Sequence, residues 1–292
     1  MLRAPDARCT RAEKTGKTNA PYRHGPFQSL GWIGWRRSEN IIAQPGWNAP
    51  PRRFFRESPV PEKDSAMISI VVPVLNEAPR LSAMFDMLDA QPGEKQIILA
   101  DGGSADDTRP AAGERALIVE SEPGRARQMN AGAAHAQGET ILFLHCDTKL
   151  PAGALRDIED VMRADGVAGG GFLHSFDRED RFSRFISFSA NTRAKIAKLF
   201  FGDQCIFIRR EVFQRMGGYA DMPLFEDWNL SRRMRAFGRV AVIETPVVTS
   251  GRRIDVWGKP KCLIIWWGLS ILFALGVSAE RLARYYAHVR DA

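Results

Sequence analysis

The chain has 292 residues, 45% hydrophobic and 26% charged, the balance of a water-soluble globular protein with one large domain or two small ones. Its formal net charge is +7, but residues 1–66 hold 12 Lys and Arg against 6 Asp and Glu, which leaves the rest near neutrality. That distribution excludes a broad basic surface able to follow a nucleic-acid backbone.

Residues 1–66 are rich in Pro, Gly, Arg and Trp and show neither helical nor alternating periodicity, so a disordered leader is expected there. The segment lacks the apolar stretch of a secretory signal, and Asp6, Glu13, Glu39, Glu57, Glu62 and Asp64 argue against a transit peptide. Met67, where folded patterning begins, is a candidate native start.

From Met67 strands and helices alternate. MISIVVPVL (67–75) predicts a strand that ends at Asn76-Glu77, and Leu81, Met84, Phe85 and Leu88 share one face of the helix after it. KQIILADGGS predicts a second strand and ALIVES a third; residues 126–137 read as a helix of small residues, and ETILFLHCD as a fourth strand. Such alternation with short connections implies a parallel sheet covered on both faces, in which ligands sit at the carboxyl ends of the strands. Those ends carry Asn76-Glu77, Asp101, Glu120-Ser121-Glu122 and His145-Cys146-Asp147. The second half predicts strands in GVAGGGFLHSF, QCIFIRR and VAVIETPVVTS, and helices over 181–200, in EVFQRMGG and from Glu226 to Gly238.

CLIIWWGLSILFALGVS (262–278) is apolar for 17 residues, the short limit of a membrane-spanning helix. Gly268 and Ser270 interrupt it, while Trp266-Trp267 and the flanking Lys259 and Lys261 suit a helix lying in a membrane interface. Leu282 and Tyr286 continue a second, amphipathic helix with Arg281, Arg284 and Arg290 outward. A helical pair packed on the main domain is expected, with a peripheral membrane contact or a partner subunit as its outer neighbour. The four cysteines, Cys9, Cys146, Cys205 and Cys262, form no CxxC pair, which points to reduced thiols in the cytoplasm.

PVLNE (73–77), DGGSADDT (101–108), GRARQMNAGAAHAQGETILFLHCD (124–147) and FEDWNLSRRMR (225–235) resemble, in type and order, glycosyltransferase family 2. The resemblance covers residues 67–253 and implies an α/β fold of GT-A type: a Rossmann-like mixed sheet flanked by helices, with 254–292 as a C-terminal helical appendage. It implies inverting transfer of a sugar from a nucleotide-diphosphate sugar to a hydroxyl acceptor, small or lipid-linked, at the cytoplasmic side of a membrane or free in the cytoplasm. HCD, FGDQ (201–204) and TSGRR (249–253) are similar, more narrowly, to the bacterial subgroup associated with arsenosugar biosynthesis.

The resemblance assigns roles. Asp147 would hold Mn²⁺ or Mg²⁺ against the departing diphosphate; His145 stands where the family's Asp-x-Asp has its first acid, as a second ligand or as a donor to the diphosphate. Asp147 serves equally as a turn residue before Pro151, and Cys146 points into the core. Pro73, Asn76, Glu77, Asp101 and Gly102 would line the nucleoside, although Glu77 also suits a helix's first turn and Ser104-x-x-Asp107 a helix start. Arg127 would meet a base or phosphate or remain a surface arginine, with Asn130 and Gly132 packing helix on sheet. Asp227 would remove the acceptor's proton with Glu226 in support; the apolar approach Pro223-Leu224-Phe225 would raise its pKa, and two acids also suit a helix N-terminus. Asp203, Gln204 and Trp228 are placed on the acceptor side, and Arg252 and Arg253 near the diphosphate. A nucleotidyltransferase and a non-catalytic nucleotide-sugar binder or scaffold stay open. The first would show a glycine-rich basic loop after the first strand; the second would be indifferent to loss of Asp227.

Overall fold

The computed structural model describes residues 67–291, with side chains through Tyr286; the expected leader 1–66 and the side chain of Arg290 lie outside the described residues. The first half runs β1 (Ile68–Val74), α1 (Ala78–Asp89), β2 (Lys95–Asp101), α2 (Thr108–Ala112), β3 (Leu117–Glu120), α3 (Arg125–Ala134), β4 (Thr140–Phe143), β5 (Thr148–Lys149) and α4 (Ala154–Met162). The second half runs β6 (Val167–Phe176), α5 (Arg181–Ala197), a 3-10 turn (Gly202–Gln204), β7 (Phe207–Arg209), α6 (Arg210–Arg215), α7 (Glu226–Met234) and β8 (Arg239–Thr249). Three helices close the chain: α8 (Arg252–Trp257), α9 (Lys259–Ala274) and α10 (Ala279–Asp291).

The strands form one sheet in the order β3-β2-β1-β4-β7-β6-β8-β5. β3, β2, β1 and β4 are mutually parallel, as their buried apolar runs predict. β7 then runs antiparallel to both β4 and β6, β6 and β8 pair in parallel, and β5 closes the far edge antiparallel to β8. Ile68, Ile70, Val72 and Val74 of β1 meet Leu81, Phe85 and Leu88 of α1 and Leu155 and Ile158 of α4 on one face. On the other face Val71, Ile98 and Ile141 meet Met129 of α3, Phe213 of α6 and Leu230 of α7. The two-residue alternation of the strands thus feeds two separate cores, one per face.

Two local features position the site. Pro73 sits in a central strand, where a missing N–H should break the ladder, but pairing of β1 with β4 ends at Val71–Phe143, before Pro73 is reached. Gly132 lets α3 approach closely: a Cβ there would lie 2.5 Å from Val71 Cγ1, which accounts for the small residues of that helix.

Four expectations shift. α7 stops at Met234 rather than Gly238, α5 stops at Ala197 where Lys198 turns left-handed (φ 53°), α4 is an unanticipated helix, and the C-terminal appendage has three helices instead of two. α9 is 16 residues, about 24 Å long at 1.5 Å per residue. Among the described residues no helix is long and apolar enough to cross a membrane.

Candidate active site

The loops leaving β1 and β2 are built as one unit. Asn76 adopts a left-handed backbone (φ 56°); its N–H donates to Ser104 Oγ at 2.9 Å and its Oδ1 accepts from Ala105 N–H at 2.9 Å. The next two N–H groups, at the start of α1, donate to Thr108 Oγ1 (2.8 Å) and Asp106 Oδ2 (3.2 Å). α1 is therefore capped by side chains from the loop after β2, which explains the polar spelling DGGSADDT. Asp101 anchors that loop: its carboxylate accepts from the Ser104 N–H (2.9 Å) and hydroxyl (2.6 Å) and from Arg109 Nε (2.5 Å). Burial would raise its pKa, but the bonds from Ser104 and Arg109 outweigh it and hold the group below the usual carboxylate range. Both oxygens are engaged within the chain, so a nucleoside would have to share them. Glu77 pairs with Arg80 one turn along. Gln128, buried in α3, donates through Nε2 to the carbonyls of Val74 (2.8 Å) and Ala100 (2.9 Å), and its amide lies 3.0 Å from where a Cβ on Gly102 would stand.

The second half of the site forms where β4 meets the 3-10 turn and the start of α7. A Cβ added to Gly202 would lie 2.3 Å from His145 Nε2 and 2.8 Å from Asp227 Oδ2. The imidazole and the carboxylate thus converge on one point that only a glycine leaves open. Phe225, left-handed at φ 65°, turns the chain so that Glu226 and Asp227 both face inward, 4% and 5% exposed. Burial, then the charge of Glu226, push the Asp227 carboxyl up to about 8, against the opposing pull of Arg125 and the Gly202 N–H. Burial raises Glu226 as well, again opposed by Arg125. With both acids buried side by side, placing a second negative charge there is unfavourable. Tyr219, 3% exposed, lies against them; burial, then the charges of Asp227 and Glu226 and the approach of its hydroxyl to the Asp227 carboxylate, raise its phenol.

Arg125, at the start of α3, is the cation of this cleft. Its side chain is exposed to solvent, and the acids act on it through charge, not through a hydrogen bond to any described residue. Desolvation works against its charge, but the nearby acids, Glu226 first, then Asp227 and Asp147, outweigh it and raise its pKa. Arg127, the expected arginine, is instead exposed and paired with Glu122 (2.7 Å) and Asp221 (3.1 Å). Two residues along a helix point to nearly opposite sides, and the one facing the cleft is Arg125.

His145 is pushed down to about 4, by burial first and then by Arg125 and Arg253, despite Asp147 and Asp203 nearby. It is therefore neutral, with a ring nitrogen free to accept or to ligate. Asp147 is half-buried, and its carboxylate makes no hydrogen bond or ion pair to any described residue. Among the described residues no three His, Cys, Asp or Glu side chains gather in metal-holding geometry. Asp147 with His145 still fits a hard divalent ion that arrives with phosphate oxygens, which needs only one or two protein ligands. The pairing of β5 with β8 (Thr148↔Thr249) and a Ser250 N–H to Asp147 carbonyl bond of 3.3 Å bring residues 249–253 alongside. Arg253 lies near enough for its charge to disfavour protonation of His145, while no hydrogen bond or ion pair among the described residues joins the Arg252 side chain to another candidate.

On the expected acceptor side Asp203 faces His145 and Asp227, and its Oδ2 lies 3.6 Å from Nε2 of buried His174, which the sequence did not single out. Gln204 is fully buried, accepting from Arg193 (2.9 Å) and donating to the Phe172 carbonyl (3.2 Å), so it braces the turn. Trp228 joins Phe201, Phe225 and Phe273 in an aromatic cluster, with centroids 5.9–6.3 Å from its own. Cys146 packs 3.9 Å from Met84 Sδ, and burial pushes its thiol up to about 12.

A family model described as Glycosyl transferase family 2 matches residues 69–217. The PGL/p-HBAD biosynthesis glycosyltransferase of Mycobacterium tuberculosis (strain ATCC 25177 / H37Ra) is 29% identical over 191 residues, 61% of this chain and 72% of that protein. Among solved structures, the mannosyltransferase PcManGT from Pyrobaculum calidifontis in complex with GDP-Man and Mn²⁺ superposes with a TM-score of 0.53 at 19% identity, over 77% of this chain and 70% of that one. TarS of S. aureus superposes with a TM-score of 0.50 at 16% identity, over 68% of this chain; this chain spans only 39% of TarS. At such identities the structures speak for the fold alone, and the fold is the expected α/β mixed sheet.

Proposed function

The chain belongs to glycosyl transferase family 2, and from that premise we propose that it transfers a sugar from a nucleotide-diphosphate donor to a hydroxyl acceptor in one inverting displacement. The carrying observation is the meeting of Asp227, His145 and Gly202 at one point, with Glu226, Arg125 and Asp147 facing the same recess. In this reading the acceptor oxygen attacks the anomeric carbon as its proton passes to Asp227. The bond from that carbon to the diphosphate breaks, and the nucleoside diphosphate leaves with the electron pair. Glu226 holds Asp227 poised by like charge, while Arg125 and Arg253 draw the phosphates in and stabilise the charge that develops on them. Asp147, with His145, would hold a divalent ion, which supplies Lewis-acid stabilisation of the leaving group when bound. Asn76 and the Asp101-Gly102 loop form the nucleoside's wall.

The HCD, FGDQ and TSGRR segments support placing the chain in the arsenosugar-associated subgroup. The similar mycobacterial proteins are described instead by PGL/p-HBAD biosynthesis, so the acceptor of that biosynthesis is a second candidate class. A thermal-shift panel of nucleotide sugars with and without Mn²⁺, followed by nucleotide release with candidate acceptors, tests the reading. Stabilisation by one donor that deepens with Mn²⁺ is expected. Indifference to every nucleotide sugar would overturn it in favour of a scaffold.

A further inference from the structure

From Cys262 to Ala279 the chain carries no charged residue, yet α9 is only partly covered. Its inner side buries Cys262, Ile265 and Leu269. Its outer side presents Ile264, Trp267, Ile271 and Leu275, spaced three, four and four apart, at 40–66% exposure. α5 extends this face: the Phe185 and Trp267 rings stack at 5.6 Å, and Phe185, Phe188 and Ile196 are 48%, 69% and 80% exposed. A shallow groove of about 420 Å³ runs between them, lined by Phe188, Thr192, Ile196 and Trp267 among others. Scattered apolar residues on a surface need no explanation, but a continuous face drawn from two helices does.

The charges around the face indicate what covers it. Residues 252–286 hold six Lys and Arg against two Asp and Glu. Lys261, with Lys259 paired to Asp180 at 2.9 Å, stands at one end of α9 and Arg281 and Arg284 beyond the other, while Arg181 and Arg184, the latter 3.8 Å from Glu179, begin α5. Basic residues flanking an apolar stripe with tryptophan on it, on a helix too short to span a bilayer, are the chemistry of an interfacial helix on anionic lipid.

We propose that the joint outer face of α5 and α9 seats the protein on an anionic lipid surface, with α9 lying in the plane of the interface. The inner side of α9 fixes what the seat does for the site. Phe273 stacks on Phe225 at 4.4 Å, and Glu226 and Asp227 follow Phe225 directly. Seating therefore holds the acid pair at a set height above the lipid. The inference stands apart from the transfer chemistry, since lipid binding and turnover are measured separately.

The test is sedimentation of the full chain with vesicles of phosphatidylcholine, with and without phosphatidylglycerol. Binding is expected only with the anionic lipid and should weaken with added salt. Ile271→Glu and Phe188→Glu, both at exposed positions, should each lower the partition coefficient by about tenfold or more, with melting temperature unchanged. Wild-type protein left in the supernatant of anionic vesicles overturns the proposal, as do variants that bind like wild type. A wild-type dimer that Ile271→Glu converts to monomer also overturns it, assigning the face to a second copy. So does hydrogen-exchange protection of residues 1–66 that Ile271→Glu abolishes, which assigns it to the chain's own leader.

Discussion

Replacing Asp227 by Asn separates a working general base from an acid that merely starts a helix. The carboxyl is shifted from 3.8 to about 8 by burial and by Glu226, so the folded state retains a proton that the unfolded chain releases. With the folded value raised, stability from this group is full below about 4 and is lost as pH climbs towards about 8. At about 1.4 kcal/mol per pH unit, the loss by pH 7 is on the order of a few kcal/mol. Asparagine keeps the shape and cannot ionise. After allowance for imperfect hydrogen bonding, a net gain of about 2 kcal/mol is expected, or about 4–8 °C in melting temperature for a domain of this size. The gain should widen between pH 5 and pH 8 and then level off. Transfer should fall by about 10²–10⁴ with donor affinity retained, and wild-type kcat/KM should rise with pH through about 8. Scanning fluorimetry from pH 5 to 9, nucleotide-release kinetics and donor calorimetry read all three. An Asn variant no more stable than wild type at pH 8, or one that transfers sugar at near wild-type rate, would refute the reasoning.

Gly202→Ala puts a methyl group on the point shared by His145 and Asp227; turnover should drop by roughly 100-fold, seen in steady-state kinetics, with the fold intact by circular dichroism. Arg125→Ala should lower kcat/KM by roughly 100-fold and move the rise of the pH–rate profile upward, because Arg125 opposes the upward shift of both acids. Arg127→Ala should leave rate and profile near wild type, its partners being exposed. Gln128→Leu removes the amide donor shared by the Val74 and Ala100 carbonyls, of which Val74 still accepts from the Gly102 N–H at 3.0 Å, and should cost about 1 kcal/mol in urea denaturation. Asp147→Asn should raise the Mn²⁺ concentration for half-maximal rate by about tenfold or more, since changes one shell further out already cost that much; an unchanged Mn²⁺ titration would remove Asp147 from the metal site.

What the sequence revealed depended on whether a signal was local. The β-branched runs of β1 to β4 and the Leu81–Leu88 stripe fix their own structure, so four parallel strands and the helices between them were readable. The apolar approach Pro-Leu-Phe pointed towards the burial of Glu226 and Asp227, whereas the role proposed for them came from the family resemblance. Arg125 and Arg127 both sit at the start of α3, and only the docking of that helix decides which one faces the acids. Gln204 looked like an acceptor-side polar group because its partners, Arg193 and the Phe172 carbonyl, are distant in sequence. Tyr219 and His174 gave no local sign, since each acquires its role from a neighbour brought in by tertiary packing. β5, two residues long, lies below what any periodicity can register, yet it carries residues 249–253 to Asp147.

The contact between Phe225 and Phe273 divides the molecule in a way that sequence matching does not follow. The family match ends at residue 217, before the acid pair, and the ring that steadies the acids' entry turn belongs to the C-terminal helices. A chimera that exchanged only the matched stretch would carry the proposed donor side alone and leave Glu226 and Asp227, with the proton transfer proposed for them, to its host. Swapping acceptor preference between relatives therefore calls for moving the block from Phe225 to Phe273 as one piece.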